Sequence, residues 1–173
     1  MKILCEKIIN TKTFCGTVDI ISGLDDFESK AKFNKEFHTY KLNNKILPSV
    51  TQLLEDDSYL NVDKSVLEYA RDKGLIVHSE IEKWLLYGES GFTAELQEFI
   101  RLFNDNLDLF KQKAIFDIKT YSQLTKANKE KAYKQCDMYS QGIKHLTGKE
   151  VKDYYVIWLP KDKKGKIIKL EGK

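Results

Sequence analysis

The sequence predicts a mixed α/β protein in which helices flank a central mixed sheet, and three observations carry that prediction. Apolar, β-branched runs of strand length stand at 2–9, 14–21, 113–120 and 153–160. Three longer stretches, 64–87, 92–109 and 129–146, repeat their apolar residues at helical spacing. Turn-forming residues separate the two kinds of segment. A chain of 173 residues with 42% apolar content can build one core of ordinary size, so a single domain over 1–173 is expected.

The runs 2–9 and 14–21 flank Asn10-Thr11-Lys12-Thr13 and read as a β-hairpin within 1–25. Asp19 interrupts its second strand, where an aspartate faces solvent at an edge, is paired, or binds a metal. Residues 26–36 are polar with little periodicity and read as a linker. From 37 to 110 the pattern is a hairpin plus a helical region. A small hairpin turns at Asn43-Asn44, and Ser49 caps a short helix through Leu54. Asp63 then caps the helix 64–87, whose apolar stripe runs from Val66 and Leu67 to Trp84 and Leu85.

Gly74, His78 and Glu82 recur every four residues and so stack on one side of that helix. A helical glycine costs about 1 kcal/mol relative to alanine, which a close approach of another backbone would explain. His78 is either a ligand or the i,i+4 partner of Glu82. Thr93 or the nearby glycines open the helix 92–109, with Leu96, Phe99, Ile100, Phe103 and Leu107 on its apolar face.

The remaining part, 111–173, holds the strand 113–120, a polar loop 121–128, the helix 129–146 ending at Gly148, and a C-terminal hairpin. Gln135 and Tyr139 share a face of that helix, as DNA contacts or as a surface amide over a half-buried tyrosine. Gly165 turns the strand 153–160 into Lys166 to Leu170.

The net charge of +3, with 32% charged residues, permits nucleic-acid binding without demanding it. Basic residues gather between Lys161 and Lys173, as they would on a solvated hairpin. Cys5, Cys15 and Cys136 are too scattered for a zinc site and read as reduced core residues. The opening run Met1 to Ile9 is too short and too charged for a signal peptide or membrane span, so no membrane partner and a cytoplasmic location are expected.

The chemistry concentrates at Asp117-Ile118-Lys119. With side chains alternating along a strand, Asp117 and Lys119 share a face while Ile118 points to the other. A carboxylate that can hold a hard cation beside an ammonium that can orient or deprotonate water suits phosphodiester hydrolysis. The same triplet is also what an exposed salt bridge looks like.

Taken together, these residues resemble the motif set of the PD-(D/E)XK nuclease superfamily, in its RecB-like and phage exonuclease branch, to which the Cas4 nucleases also belong. Gly74, His78 and Glu82 match its Gly-x-x-x-His-x-x-x-Glu helix, and Gly16, Thr17 and Asp19 its Gly-Thr-x-Asp strand. Asp117, Lys119 and Thr120 match its Asp-x-Lys-Thr strand, and Gln135 and Tyr139 its Gln-x-x-x-Tyr helix. Pro48-Ser49-Val50-Thr51 is similar to a segment of phage members, and Glu6 stands where they carry an acidic residue.

The resemblance implies a restriction-endonuclease-like core and a Mg²⁺- or Mn²⁺-dependent deoxyribonuclease. Asp19, Asp117, the Ile118 carbonyl and His78 would hold the metal, and Asp117, Asp19 and Lys119 would be catalytic. Gln135, Tyr139 and Thr120 would meet DNA, with Glu6 and Glu82 orienting His78 or water. It further implies linear double- or single-stranded DNA as substrate, 5′-phosphate products, a recombination partner protein, and a bacterial or phage-infected host cell. A Cas4-like role fits less well, because three scattered cysteines cannot hold its iron–sulfur cluster. The alternatives are a catalytically silent DNA-binding protein or a protein-interaction module on the same fold.

One feature of order departs from the family, whose helical region precedes the Gly-Thr-x-Asp hairpin. Here the hairpin comes first, and moving 1–25 to follow Phe110 would restore the family order. The expectation is a transposed hairpin, of natural, engineered or numbering origin, whose Asp19 carboxylate lies within about 4 to 5 Å of that of Asp117. A hairpin swapped between the copies of a homo-oligomer would serve equally.

Overall fold

In the computed structural model the chain is described at residues 32–34, 39–42, 45–47, 50–54 and 63–172. The expected hairpin 2–21, with Glu6, Gly16, Thr17 and Asp19, lies outside the described residues, as do Cys5, Cys15, Pro48 and Ser49. The described part is mixed α/β, with one three-stranded mixed sheet flanked by helices and one antiparallel meander.

The meander consists of β1 (Lys32–Asn34), β2 (Thr39–Leu42) and β3 (Lys45–Leu47), each antiparallel to the next. Leu42 pairs with Lys45, so β2 and β3 form the small hairpin that the sequence suggests, with Asn43 and Asn44 outside the described residues. β1 corrects the reading of 26–36 as a linker, because pairing with β2 makes a strand where the local pattern is weak. Helix α1 (Val50–Leu53) follows as one short turn, closed by Leu54 N–H donating to the Val50 carbonyl.

Helix α2 (Lys64–Tyr87) starts where Asp63 accepts from the Ser65 N–H and stops at Gly88, whose φ of 70° is the left-handed cap that favours glycine. Helix α3 (Ala94–Asp105) is capped by Thr93, which accepts from Leu96 N–H. Its start is also tied to α2, because the Glu80 carboxylate accepts from the Phe92 and Thr93 N–H groups and from the Thr93 hydroxyl. Burial would push the Glu80 carboxyl up, but these donors outweigh it and hold it below the usual carboxylate range.

The expected helix 92–109 is in fact broken at Asn106, whose φ of −132° is not helical. A separate turn, α4 (Leu107–Phe110), carries the chain into β4 (Ala114–Lys119).

After β4, helix α5 (Lys126–Thr147) begins earlier than its apolar periodicity indicates, because Thr125 caps it by accepting from Asn128 N–H. The polar loop is shortened accordingly. Gly148, with φ 71°, ends α5, and β5 (Asp153–Trp158) and β6 (Lys166–Leu170) complete the sheet. β5 stops two residues short of the expected 160. It is parallel to β4 and antiparallel to β6, so the order is β4-β5-β6 with α5 as the crossover.

Alternation on β4 and β5 sorts the core into two layers. Phe116, Ile118, Tyr155 and Ile157 face α2 and α3, packing with Val77, Ile81, Leu85, Leu96 and Phe99. Ile115, Tyr154 and Val156 face α5 and pack with Ala132, Cys136 and Ile143. Phe110, Phe116 and Tyr155 stack in succession, at centroid separations of 4.7 and 5.2 Å, which fixes β4 between the helical region and β5.

Two glycines test this packing from opposite sides. A Cβ on Gly91 would lie 2.7 Å from Leu96 Cδ2 and from the Glu80 carboxyl carbon, whereas one on Gly142, inside α5, meets nothing within 4 Å. Gly142→Ala should therefore gain up to about 1 kcal/mol from helix propensity, while Gly91→Ala should lose stability by about 1 to 3 kcal/mol. Urea denaturation of the two variants measures both, and equal effects would contradict this packing of α2 against the start of α3.

Candidate functional site

The site forms where β4 runs out of apolar residues. Ala114 to Ile118 are all buried, so Asp117 is carried into the interior and retains only 3% of its surface. Asp117 and Lys119 share the face toward α5, as alternation requires, and Lys119 Nζ lies 3.0 Å from Asp117 Oδ2. Lys119 also donates to Gln135 Oε1 at 2.8 Å, and Gln135 Nε2 meets the Tyr139 hydroxyl at 2.9 Å. The i,i+4 pair on α5 thus extends the pair on β4 into one chain of four polar side chains.

Donor and acceptor logic fixes that chain's direction. An ammonium can only donate, so the Gln135 oxygen must face Lys119 and its NH₂ group must face Tyr139. The tyrosine oxygen then accepts, which leaves its O–H to donate elsewhere. Gln135 is buried, which corrects the reading of a surface amide, and Tyr139 is half-buried as expected.

Burial pushes the Asp117 carboxyl above the usual carboxylate range, and the Lys119 charge opposes this only in part. Burial alone would lower Lys119, but the Asp117 carboxylate beside it outweighs that and moves it upward. Lys119 is therefore a held cation at neutral pH rather than a base with a depressed pKa. Burial also raises the thiol of Cys136, with a further contribution from the Asp117 charge, so this cysteine is an inert wall of the site.

The other expected residues take different positions. Thr120, half-buried just beyond β4, meets Gly74, since its Oγ1 would be 3.8 Å from a Cβ placed there. That is ordinary contact with a side chain, which corrects the expectation that another backbone excludes a side chain at Gly74. His78, one turn further along α2, is half-buried. Glu82, a turn beyond, is exposed. Among the described residues, no three of His, Cys, Asp or Glu gather into a group able to hold a metal.

Two oxygens nevertheless suit a hard cation. Asp117 Oδ2 is buried and faces the Lys119 ammonium at 3.0 Å. Leu159 N–H donates to the Lys119 carbonyl at 2.8 Å, so Lys119 turns its carbonyl toward β5 and Ile118 turns its own away. That outer edge of β4 pairs with no strand among the described residues. The Asp117 carboxylate, on the face toward α5, and the Ile118 carbonyl, on the unpaired edge, are oxygens of the kind a hard cation takes, and Asp19 and Glu6 lie outside the described residues.

Sequence reasoning left Tyr121 in a loop, yet its ring stands 5.8 Å from Lys119 Nζ and its carbonyl accepts from Trp158 Nε1 at 2.7 Å. The i+2 spacing from Lys119 was the available signal. It also did not foresee the ion pair that Lys73 and the buried Glu95 form between α2 and α3.

Compared with protein-family models, curated proteins and solved structures, the chain matches none. No helix among the described residues is long and apolar enough to cross a membrane.

Lys119→Met tests the electrostatics of the site directly. It leaves the Asp117 carboxylate buried without its cation and should destabilise the fold by about 3 kcal/mol at neutral pH. The folded pKa of Asp117 lies above its unfolded value, and further above it in the variant, so the penalty is full above that raised pKa. It should shrink as the pH falls through it and the acid takes up a proton. Urea denaturation of both proteins at neutral and mildly acidic pH reads the difference; a penalty independent of pH would show that Asp117 is not the group responsible.

Proposed function

We propose that this chain is a metal-dependent DNA nuclease on a restriction-endonuclease-like core, a phage-type exonuclease of recombination or DNA processing. The observation that carries the reading is the buried Asp117 carboxylate, paired through Oδ2 with a lysine that Gln135 and Tyr139 hold in place. A surface salt bridge has no need of burial. The motif resemblance supplies the reaction class.

Asp117 and the Ile118 carbonyl would hold Mg²⁺ or Mn²⁺ together with Asp19, and His78 is the candidate for a nitrogen ligand. When bound, the ion supplies charge stabilisation to the phosphodiester and to its departing 3′ oxygen. Lys119 has three protons, one given to Gln135 and one facing Asp117, which leaves one for the attacking water or a non-bridging phosphate oxygen. Because it is held protonated, it orients and neutralises rather than deprotonates. Tyr139, whose oxygen accepts from Gln135, can give its own O–H to the DNA backbone. Water attack at phosphorus with departure of the 3′ oxygen yields 5′-phosphate and 3′-hydroxyl ends.

The reading asks that the strand bearing Asp19 lie along the outer edge of β4, toward which the peptide groups of Ala114, Phe116 and Ile118 point. Linear double- and single-stranded DNA incubated with Mg²⁺ or Mn²⁺ should be cut by the natural sequence. Asp19→Ala, Asp117→Ala and Lys119→Ala should each lower the rate at least about a hundredfold. DNA that is retained on a gel but never cut would leave a binding protein in place of an enzyme.

A further inference from the structure

A second feature stands at the same end of the sheet, and the residues of the candidate site do not account for it. In register, Lys119 pairs with Trp158 and Trp158 with Lys166, so the turn between β5 and β6 projects from the edge at which Lys119 ends β4. Lys161, Lys163, Lys164 and Lys166 lie in or just beyond that turn and are exposed, against one exposed acid, Asp162.

Both ends of the turn are fixed. Leu159, Pro160 and Gly165 are buried, Leu159 N–H is bonded to the Lys119 carbonyl, and Gly165 N–H donates to Glu98 on α3 at 2.6 Å. A Cβ on Gly165 would lie 2.9 Å from the Trp158 carbonyl oxygen, so the chain is closely packed there. The lysines are thus carried on a turn whose ends are tied to β4 and to α3.

No carboxylate among the described residues neutralises them as it does some other lysines of the chain. Lys73, Lys111, Lys144, Lys152 and Lys169 each form an ion pair with a carboxylate. Among the described residues, Lys161, Lys163, Lys164 and Lys166 form none within 4.0 Å. Like charges crowded on a fixed turn repel, and a polyanion with regularly spaced charges relieves that repulsion while releasing its counterions.

We propose that this lysine turn is the surface that grips the phosphate backbone of the DNA beside the candidate site, by charge and without reading sequence. The proposal rests on the nuclease reading for its partner and adds the place where that partner is held. Phosphates bound along the turn pass the end of β4, and so a neighbouring phosphodiester comes to Lys119 and Tyr139.

The test uses a fluorescein-labelled linear duplex with a single-stranded overhang, with binding read by anisotropy in chelator over a range of salt and cleavage read separately with Mg²⁺ or Mn²⁺. The variant is the triple substitution Lys161→Ala, Lys163→Ala, Lys164→Ala. Its control is Lys144→Ala, Lys149→Ala, Lys152→Ala, which removes equal charge near the end of α5 and the start of β5, at the opposite end of the sheet.

The turn variant should bind at least about tenfold more weakly, with the slope of log affinity against log salt reduced by about 2 to 3, while the control keeps the slope of the natural sequence. Equal losses in both triple variants, or none in the turn variant, overturn the proposal even if the natural sequence cuts DNA. A natural sequence that binds with the expected dependence on the turn but never cuts upholds the turn and removes the nuclease reading. One that neither binds nor cuts removes both.

Discussion

The structure depends on keeping a carboxylate and an ammonium out of water on a single strand. Burying either charge alone would cost several kcal/mol, and their attraction offsets this only where the geometry is good and the remaining protons and lone pairs find partners. Here Lys119 finds Gln135, and Gln135 finds Tyr139. Asp117 has Lys119 itself, at 3.0 Å from Oδ2. The opposite face of β4, where Phe116 and Ile118 pack under α2 and α3, holds the strand so that this polar face cannot relax into solvent.

That division of labour explains why the site lies at the end of β4 rather than in its middle. The apolar run from Ala114 to Phe116 anchors the strand, and the charges come at its last residues, where Lys119 is part-exposed while Asp117 is not. The gradient runs from a buried acid to a part-exposed ammonium, so the lysine can be reached from solvent while the carboxylate stays desolvated. The upward shifts at Asp117 and Lys119 follow from this one gradient, burial dominating the acid and the acid dominating the lysine.

Much of the fold was legible because its signals are local. Asp63 as a cap, Gly148 beyond a helix end, and the shared face of Asp117 and Lys119 all follow from chemistry within a few residues. What was not legible depends on partners far along the chain. β1 is a strand only because β2 pairs with it, and Gln135 is buried only because β4 lies under α5. The break at Asn106 leaves no mark in the apolar periodicity on either side of it. Gly74 carried a true signal of proximity, but its neighbour is the Thr120 side chain, not another backbone. The tie between Glu80 and the start of α3 spans thirteen residues and has no local pattern to betray it.

The central claim is that Asp117 is half of a cation site whose other carboxylate is Asp19. Isothermal titration of Mn²⁺ into the natural sequence, Asp117→Asn and Asp19→Asn tests it most directly, because binding is read without DNA or turnover. The account predicts one site in the natural sequence and a loss of affinity of at least about tenfold from either substitution alone. Mn²⁺ binding that survives Asp19→Asn unchanged, or no binding by the natural sequence, would contradict it.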